Sequence, residues 1–279
     1  MTLVKKEHRI VLLSTYFGPT PWYFPYFVLS CRYNPGVDFL LFADHETGLE
    51  LPPNVRFIKM TLEAFRRKAT SVLGFDVVTT PQPYKICDLR PAFGLLFHEY
   101  VQEYDFWGQA DTDILFGNIR KFLDDTILDN YDMICLRHDY ISSWFTLYRN
   151  NERMNHLFKE SSDYKKVFTT ERYFNFDETN LTFFEFAHSV PYQQIPSEVE
   201  SMTHLVKRLQ EQGAVRAYFD MHAIEGRPGR MIWSKGQLIY KNQFEVLLYH
   251  LLEFKKVYQP KHRPEKVKDT FRISPARIY

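Results

Sequence analysis

No run of eighteen apolar residues occurs in the 279-residue chain, which excludes an ordinary apolar membrane-spanning helix. Cysteine is scarce: Cys31, Cys87 and Cys135 stand far apart and are odd in number. Neither a disulfide framework nor a cysteine metal site is expected from them, and a reducing compartment is. Charge of either sign is not in excess. The 35 Lys and Arg against 34 Asp and Glu leave a net charge of +1, which gives no global reason to expect a nucleic-acid partner. The apolar part of "MTLVKKEHRIVLL" is short for a signal peptide. A cytoplasmic protein is therefore expected. Internal repeats and low-complexity segments are also missing. Aromatics, by contrast, are plentiful. The 25 Phe and 18 Tyr suit a large core and equally suit stacking on sugars and bases.

Short apolar runs alternate with amphipathic stretches through residue 137. "HRIVLLSTYFG" predicts a buried strand from Arg9 to Ser14 and then a loop. "PWYFPYFVLSCRYNP" predicts a helix closed by Asn34 and Pro35. "VDFLLFAD" and "VRFIKM" predict two more strands, the first ending on Asp44. "TLEAFRRKATSVLG" predicts a helix with Thr61 as N-cap and Gly74 as its stop. A helix is expected from about Pro91, a strand over "YDFWGQAD", one amphipathic helix over "NIRKFLDDTILDNY", and a strand over "DMICLR". Such alternation predicts a mostly parallel sheet flanked by helices. Beyond residue 138 the pattern loosens. "FTLYRNNERMNHLFKES" and "EVESMTHLVKRLQEQG" predict helices, "GQLIYKNQ" a strand, and "FEVLLYHLLEF" either. The expected organisation is one domain over 1–254, regular over 1–137 and less regular over 138–254, with a basic tail at 255–279.

"YDFWGQADTDILFGNI" sets Asp111 and Asp113 one residue apart at the end of a predicted strand. With 16 Asp in the chain, about one such pair is expected by chance, so its setting must decide. In an open α/β sheet, ligands bind at the carboxyl ends of strands. Two anions there repel unless a cation lies between them. Oxygen ligands suit Mg²⁺ or Mn²⁺, and such an ion bridging a diphosphate stabilises it as a leaving group. That chemistry suits a nucleotide-diphosphate sugar donor. The plain alternative is a turn at Asp111 and a helix cap at Asp113.

The segments "STYFGPTPWYFPYFVLSCRYNP", "DFLLFAD", "NVRFIKM", "PYKICDLRPAFGLLF", "YDFWGQADTDILFGNIRKFL", "FTLYRN" and "YHLLEFKK", in this order, resemble the bacterial DUF6625 family, whose members are similar to GT-A glycosyltransferases. The resemblance implies a GT-A-like (Rossmann-like) fold with a less regular C-terminal acceptor region. It further implies that Asp111, Thr112 and Asp113 meet the metal and donor diphosphate. Thr15, Tyr16 and Phe17 would receive the nucleotide, and Asp44 its base or ribose. Lys85, Asp88 and Arg90 of "YKICDLRPA" would approach the phosphates and donor sugar, and His250 would be a third metal ligand. Tyr148, Arg149 and Asn150 are candidates for donor-sugar or acceptor binding.

"YFNFDET" offers Asp177 and Glu178 as the base that an inverting transfer needs, in an aromatic setting that would raise a carboxyl pKa by desolvation. Each position has a structural alternative. Asp44 would cap a turn, Lys85 and Asp88 would form a local ion pair, and Thr15 to Phe17 would pack a loop. His250 would be a core histidine, Asp177 and Glu178 two solvated acids, and Tyr148 to Asn150 the start of a helix.

The tail "KKVYQPKHRPEKVK" holds six Lys or Arg against one Glu. It reads as a solvated terminus or as a peripheral contact at the inner face of the cell membrane, suited to a lipid-linked acceptor. The leading function is a Mn²⁺- or Mg²⁺-dependent glycosyltransferase taking a UDP-sugar to a saccharide acceptor in surface-polysaccharide assembly. The alternatives are a nucleotidyl- or phosphotransferase and a non-catalytic carbohydrate-binding protein. "STYFGPTPWYF", with one Gly and no Lys or Arg, argues against the nucleotidyltransferase.

Overall fold

The computed structural model describes residues 7–80 and 83–279. The first six residues of the lead considered as a signal peptide lie outside them. The strands in chain order are β1 (Ile10–Tyr16), β2 (Asp38–Ala43), β3 (Val55–Lys59), β4 (Phe106–Ala110), β5 (Ile114–Phe116), β6 (Met133–Cys135) and β7 (Phe145–Arg149). Then come β8 (Ala217–Phe219), β9 (Ala223–Ile224), β10 (Met231–Ser234), β11 (Gln237–Tyr240), β12 (Phe244–Glu245), β13 (Leu248–His250) and β14 (Thr270–Ile273). Seven of them form one α/β sheet in the order β3-β2-β1-β4-β7-β6-β8. β2 and β3 pair in parallel, as do β6 and β8, while β7 runs antiparallel to β6. Continuous apolar runs such as Ile10 to Leu13 and Phe39 to Phe42 are fully buried, as strands covered on both faces require.

The chain divides into two compact units whose segments interleave. The first takes residues up to Leu12, then Thr61–Gln109 and Asp124–Asp220. Its core includes Trp107 stacked on Tyr148 at 4.4 Å, with the indole N–H donated to Asn155 Oδ1 at 2.6 Å. Gly94 lies against that indole, where a Cβ would come within 2.4 Å of ring atoms, so the residue must be glycine for the close approach.

The second unit takes Leu13–Met60, Ala110–Leu123 and Met221–Tyr279. It holds a four-stranded sheet, β12-β11-β10-β14, and a three-stranded one, β5-β13-β9. Trp233 stacks on Phe271 at 5.2 Å and donates its indole N–H to the Phe116 carbonyl at 2.8 Å. Asn34, expected only to close a helix, also clamps the exit of β5. Its amide donates to the Gly117 carbonyl at 2.8 Å and its oxygen accepts from Ile119 N at 2.8 Å.

Local chemistry explains most matches and misses. Thr61 does cap Leu62–Leu73, accepting from Ala64 N, and Gly74 ends it at φ 76°. The helix expected over 118–131 is two helices. Asp124 has extended backbone and its carboxylate accepts from Ile127 N, so it starts Asp125–Asn130 afresh after Ile119–Phe122. "FTLYR" is a strand, not a helix, because Met133 to Cys135 pair with Thr146 to Tyr148; a helix begins only at Glu152, capped by Asn151. Within the predicted tail, Thr270–Ile273 is a strand paired with β10. Among the described residues, no helix is long and apolar enough to cross a membrane.

Candidate functional site

β4 ends on Ala110, whose carbonyl accepts from Ser14 Oγ at 2.7 Å. Asp111 to Asp113 then turn the chain into β5. β5 pairs antiparallel with β13 in a register that sets His250 opposite Ile114, the residue after Asp113. Leu251 N donates to the Asp113 carbonyl at 2.8 Å and fixes the exit of β13 to that turn. Asp111, Asp113 and His250 thereby offer ligand atoms that all lie within 4.8 Å of one another. Asp111 is half-buried, whereas Asp113 and His250 are buried. His250 Nε2 is 3.4 Å from Asp113 Oδ1, and its Nδ1 is 3.8 Å from Glu225 Oε1.

Lys255 completes the cluster. Its ammonium lies 2.5 Å from Asp113 Oδ2 and 5.7 Å from the centre of the Tyr23 ring. Burial alone would raise the Asp113 pKa, but the hydrogen bonds and charges of His250 and Lys255 hold it well below the usual carboxylate range. For His250, burial opposes the charged form, yet the nearby carboxylates of Asp113 and Glu225 raise its pKa to about 9. Burial raises the pKa of Tyr16 and of Tyr23, which are hydrogen-bonded to each other, and the Asp113 charge adds to the rise in each. The donor set therefore fits a divalent cation. Two carboxylates and one imidazole converge; the carboxylate oxygens suit Mn²⁺ or Mg²⁺, and an ion that bound there would displace the proton of His250 and compete with the ammonium on Asp113.

β1 runs two residues further than predicted, so Thr15 and Tyr16 are its last residues and Phe17 the first beyond it. Asp44 accepts from Gly18 N at 2.8 Å and from His45 Nδ1 at 2.8 Å, and so ties the β1 loop to the β2 loop. Tyr16, Gly18 and His45 line a slot of about 10 Å³, room for about one water.

The other predicted residues lie in the first unit. Lys85 and Asp88 do pair, at 2.7 Å, but deep inside rather than on a surface. The Lys85 ammonium also donates to the carbonyls of Val167 (2.7 Å) and Arg172 (2.8 Å). Asp88 also accepts from Phe174 N (2.9 Å) and Phe176 N (2.8 Å). Arg90 donates to Ser143 O and Oγ and comes within 3.9 Å of Asp177 Oδ2. Glu178 accepts from Ser143 N at 2.8 Å and from Asn175 Nδ2 at 2.8 Å. Asp177 and Glu178 are thus part of a buried polar network and not solvated acids. Burial first, then the Glu178 charge, pushes the Asp177 carboxyl up, and burial also pushes Glu178 up.

Tyr148 is buried under Trp107. Arg149 donates to the Leu128 and Tyr131 carbonyls, and Asn150 to those of Val101 and Tyr104, so both are committed to main chain. Sequence reading missed Lys255, Glu225 and Tyr23. Lys255 stands five residues after His250 in "YHLLEFKK" and is masked there by the basic tail that follows. Glu225 carries no local signal.

Comparison with solved structures finds loose likenesses. A galactosyltransferase, LgtC, solved with donor and acceptor sugar analogs, is 14% identical over 57% of this chain and 64% of its own, with a TM-score of 0.33. The match thus spans just under two thirds of that protein. Mouse xyloside xylosyltransferase 1 is 10% identical over 65% of this chain and 83% of its own, at 0.39. The glycosyltransferase GlyE of Streptococcus pneumoniae is 9% identical over 80% and 70%, at 0.37. Comparison with curated proteins gives no match. Residues 12–279 match DUF6625, described as a family of unknown function, and the chain belongs to that family.

Proposed function

We propose that the protein is a divalent-metal-dependent glycosyltransferase that moves a sugar from a UDP-sugar to a saccharide acceptor in surface-polysaccharide assembly. One observation carries the reading: Asp111, Asp113 and His250 converge at the exit of β4, with Lys255 on Asp113. Asp111, Asp113 and His250 would hold Mn²⁺ or Mg²⁺, and the ion, when bound, would neutralise charge on a diphosphate leaving group. The chain's own groups do the rest. Leu251 N and Lys255 hold Asp113 at its main chain and side chain, so the carboxylate is set in place before any ligand arrives. Lys255 adds a fixed positive charge where phosphate oxygens would come. Asp177 and Glu178 are the acids offered to take the acceptor proton; Asp177 is sealed and Glu178 half-buried, which favours Glu178.

Calorimetry with UDP in Mn²⁺ and in EDTA tests the reading. Tight binding is expected only with the ion, and Asp113→Asn should reduce binding to the EDTA level and turnover on the order of 10²-fold. Equal affinity in both buffers would refute a metal-held diphosphate. The product separates the runner-up: glycosyl transfer or hydrolysis releases UDP, whereas attack on the diphosphate releases UMP.

A further inference from the structure

The first unit contains a cavity of about 490 Å³ that is lined by none of the residues assigned a role above. That volume falls in the range of small-molecule sites and exceeds what a single sugar ring needs. Its walls come from the segment 186–193, the helix Met202–Glu211, β8 and the residues after β6. Lys207 is its central feature. The ammonium lies 5.0 Å from the centre of the Phe219 ring and 5.8 Å from that of Phe186. Among the described residues, no carboxylate is paired with it. Burial lowers the Lys207 pKa, and Asp139 and Glu211 oppose that only from a distance.

The two acids of the wall are already satisfied. Asp139 takes both arms of Arg137, at 2.8 and 2.6 Å. Glu211 accepts from Tyr192 Oη at 2.8 Å and from Gln193 Nε2 at 3.0 Å. Lys207 is therefore the charge in this wall that lacks a counter-ion. A ligand that supplies one anion would convert two ring contacts into a charge-assisted hydrogen bond.

The rest of the wall narrows the class. Tyr192 and Phe219 offer apolar faces, the exposed amide of Gln210 offers donors and an acceptor, and Gln193, whose amide nitrogen is held by Glu211, offers its oxygen. Hydroxyl-rich rings need both. A nucleoside diphosphate would bring two or more negative charges to one cation with two carboxylates nearby, and a phosphopeptide is read by clustered arginines. We infer that this cavity is a binding site for an anionic saccharide unit, a pyranose-sized ring bearing one carboxylate or one phosphate, with Lys207 as its anion contact. The inference does not rest on the metal centre, so its test is run without metal or nucleotide.

The test is calorimetry on the full chain in EDTA, with glucuronate, glucose 6-phosphate and glucose as probes. At least one anionic sugar should bind saturably below about 10 mM and on the order of tenfold more tightly than glucose. Whichever of the two binds better identifies the source of the anion. Lys207→Met should bring its affinity down to that of glucose, and Lys207→Arg should retain it. Gln210→Glu, an exposed position where folding is not at risk, should weaken anion binding by adding a like charge. The inference is overturned if glucose binds as well as both anions, if neither anion saturates, or if Lys207→Met and Gln210→Glu both bind like the parent. Should Lys207→Met lose its cooperative melt, Gln210→Glu alone decides, and an unchanged affinity overturns the inference.

Discussion

Lys85→Met should unfold the first unit far more readily without touching the Asp111, Asp113 and His250 cluster. The Lys85 side chain is 1% exposed and that of Asp88 is 0% exposed. All three ammonium donors are in use, on Asp88 and on the carbonyls of Val167 and Arg172. Methionine replaces the stem but none of these bonds. It strands two carbonyls and leaves Asp88 buried with only the N–H groups of Phe174 and Phe176. Breaking one side of a buried pair costs about 3–5 kcal/mol, mostly from the charge left behind. Burial already raises the Asp88 pKa, so protonation of the stranded carboxyl sets the cost toward the lower end. At a urea m-value of about 2–3 kcal/mol/M, a loss of about 3 kcal/mol moves the midpoint down by about 1–1.5 M. Adding Asp88→Asn should recover part of the loss, because the charge goes while an acceptor remains. Urea melts followed by near-ultraviolet circular dichroism measure both. A midpoint shift worth under about 1 kcal/mol, together with weaker UDP binding, would refute the reasoning and return Lys85 to the phosphate-contact role the resemblance implies.

Two further outcomes are expected. Lys255→Met should tighten Mn²⁺ binding on the order of tenfold in calorimetry, because the ammonium on Asp113 Oδ2 competes with the ion; unchanged or weaker binding would make Lys255 a partner of the ligand instead. Asp177→Asn should flatten the stability profile above about pH 4. Burial and the Glu178 charge raise the Asp177 pKa, so the folded state holds a proton that the unfolded chain releases near pH 4. Stability is then fully present below that value and falls as pH rises toward the folded pKa, by at most about 1.4 kcal/mol per pH unit. Melts in which the variant keeps the parent slope would place the titration elsewhere.

What could be read in the sequence was local. Thr61 and Gly74 bound their helix through bonds made within a few residues. The buried runs of β1 and β2 are visible because a strand covered on both faces needs no alternation. Asp111 and Asp113 stood out as charge at the end of such a run. The rest depends on distant partners. β5 and β13 have three residues each, too few for any period. Only their register brings His250 to Asp113. Lys85 and Asp88 were legible as a pair three apart, but carbonyls 82 and 87 residues away determine how deeply they are buried. β7 reads as helix until β6 lies beside it.

The interleaved segments also order events in time. His250 is made 137 residues after Asp113 (250 − 113), which at 5–20 residues per second is roughly 7–27 s. Through that interval the nascent chain carries both aspartates with neither the imidazole nor the ammonium that offset their repulsion. Nor can β10 gain its second neighbour until Thr270–Ile273 has been added. A chain that stops before Leu248 would carry Asp111 and Asp113 without the β13 pairing, the imidazole or the ammonium that meet them in the fold. The meeting of Asp111, Asp113 and His250 is in this sense a late event in the making of the chain.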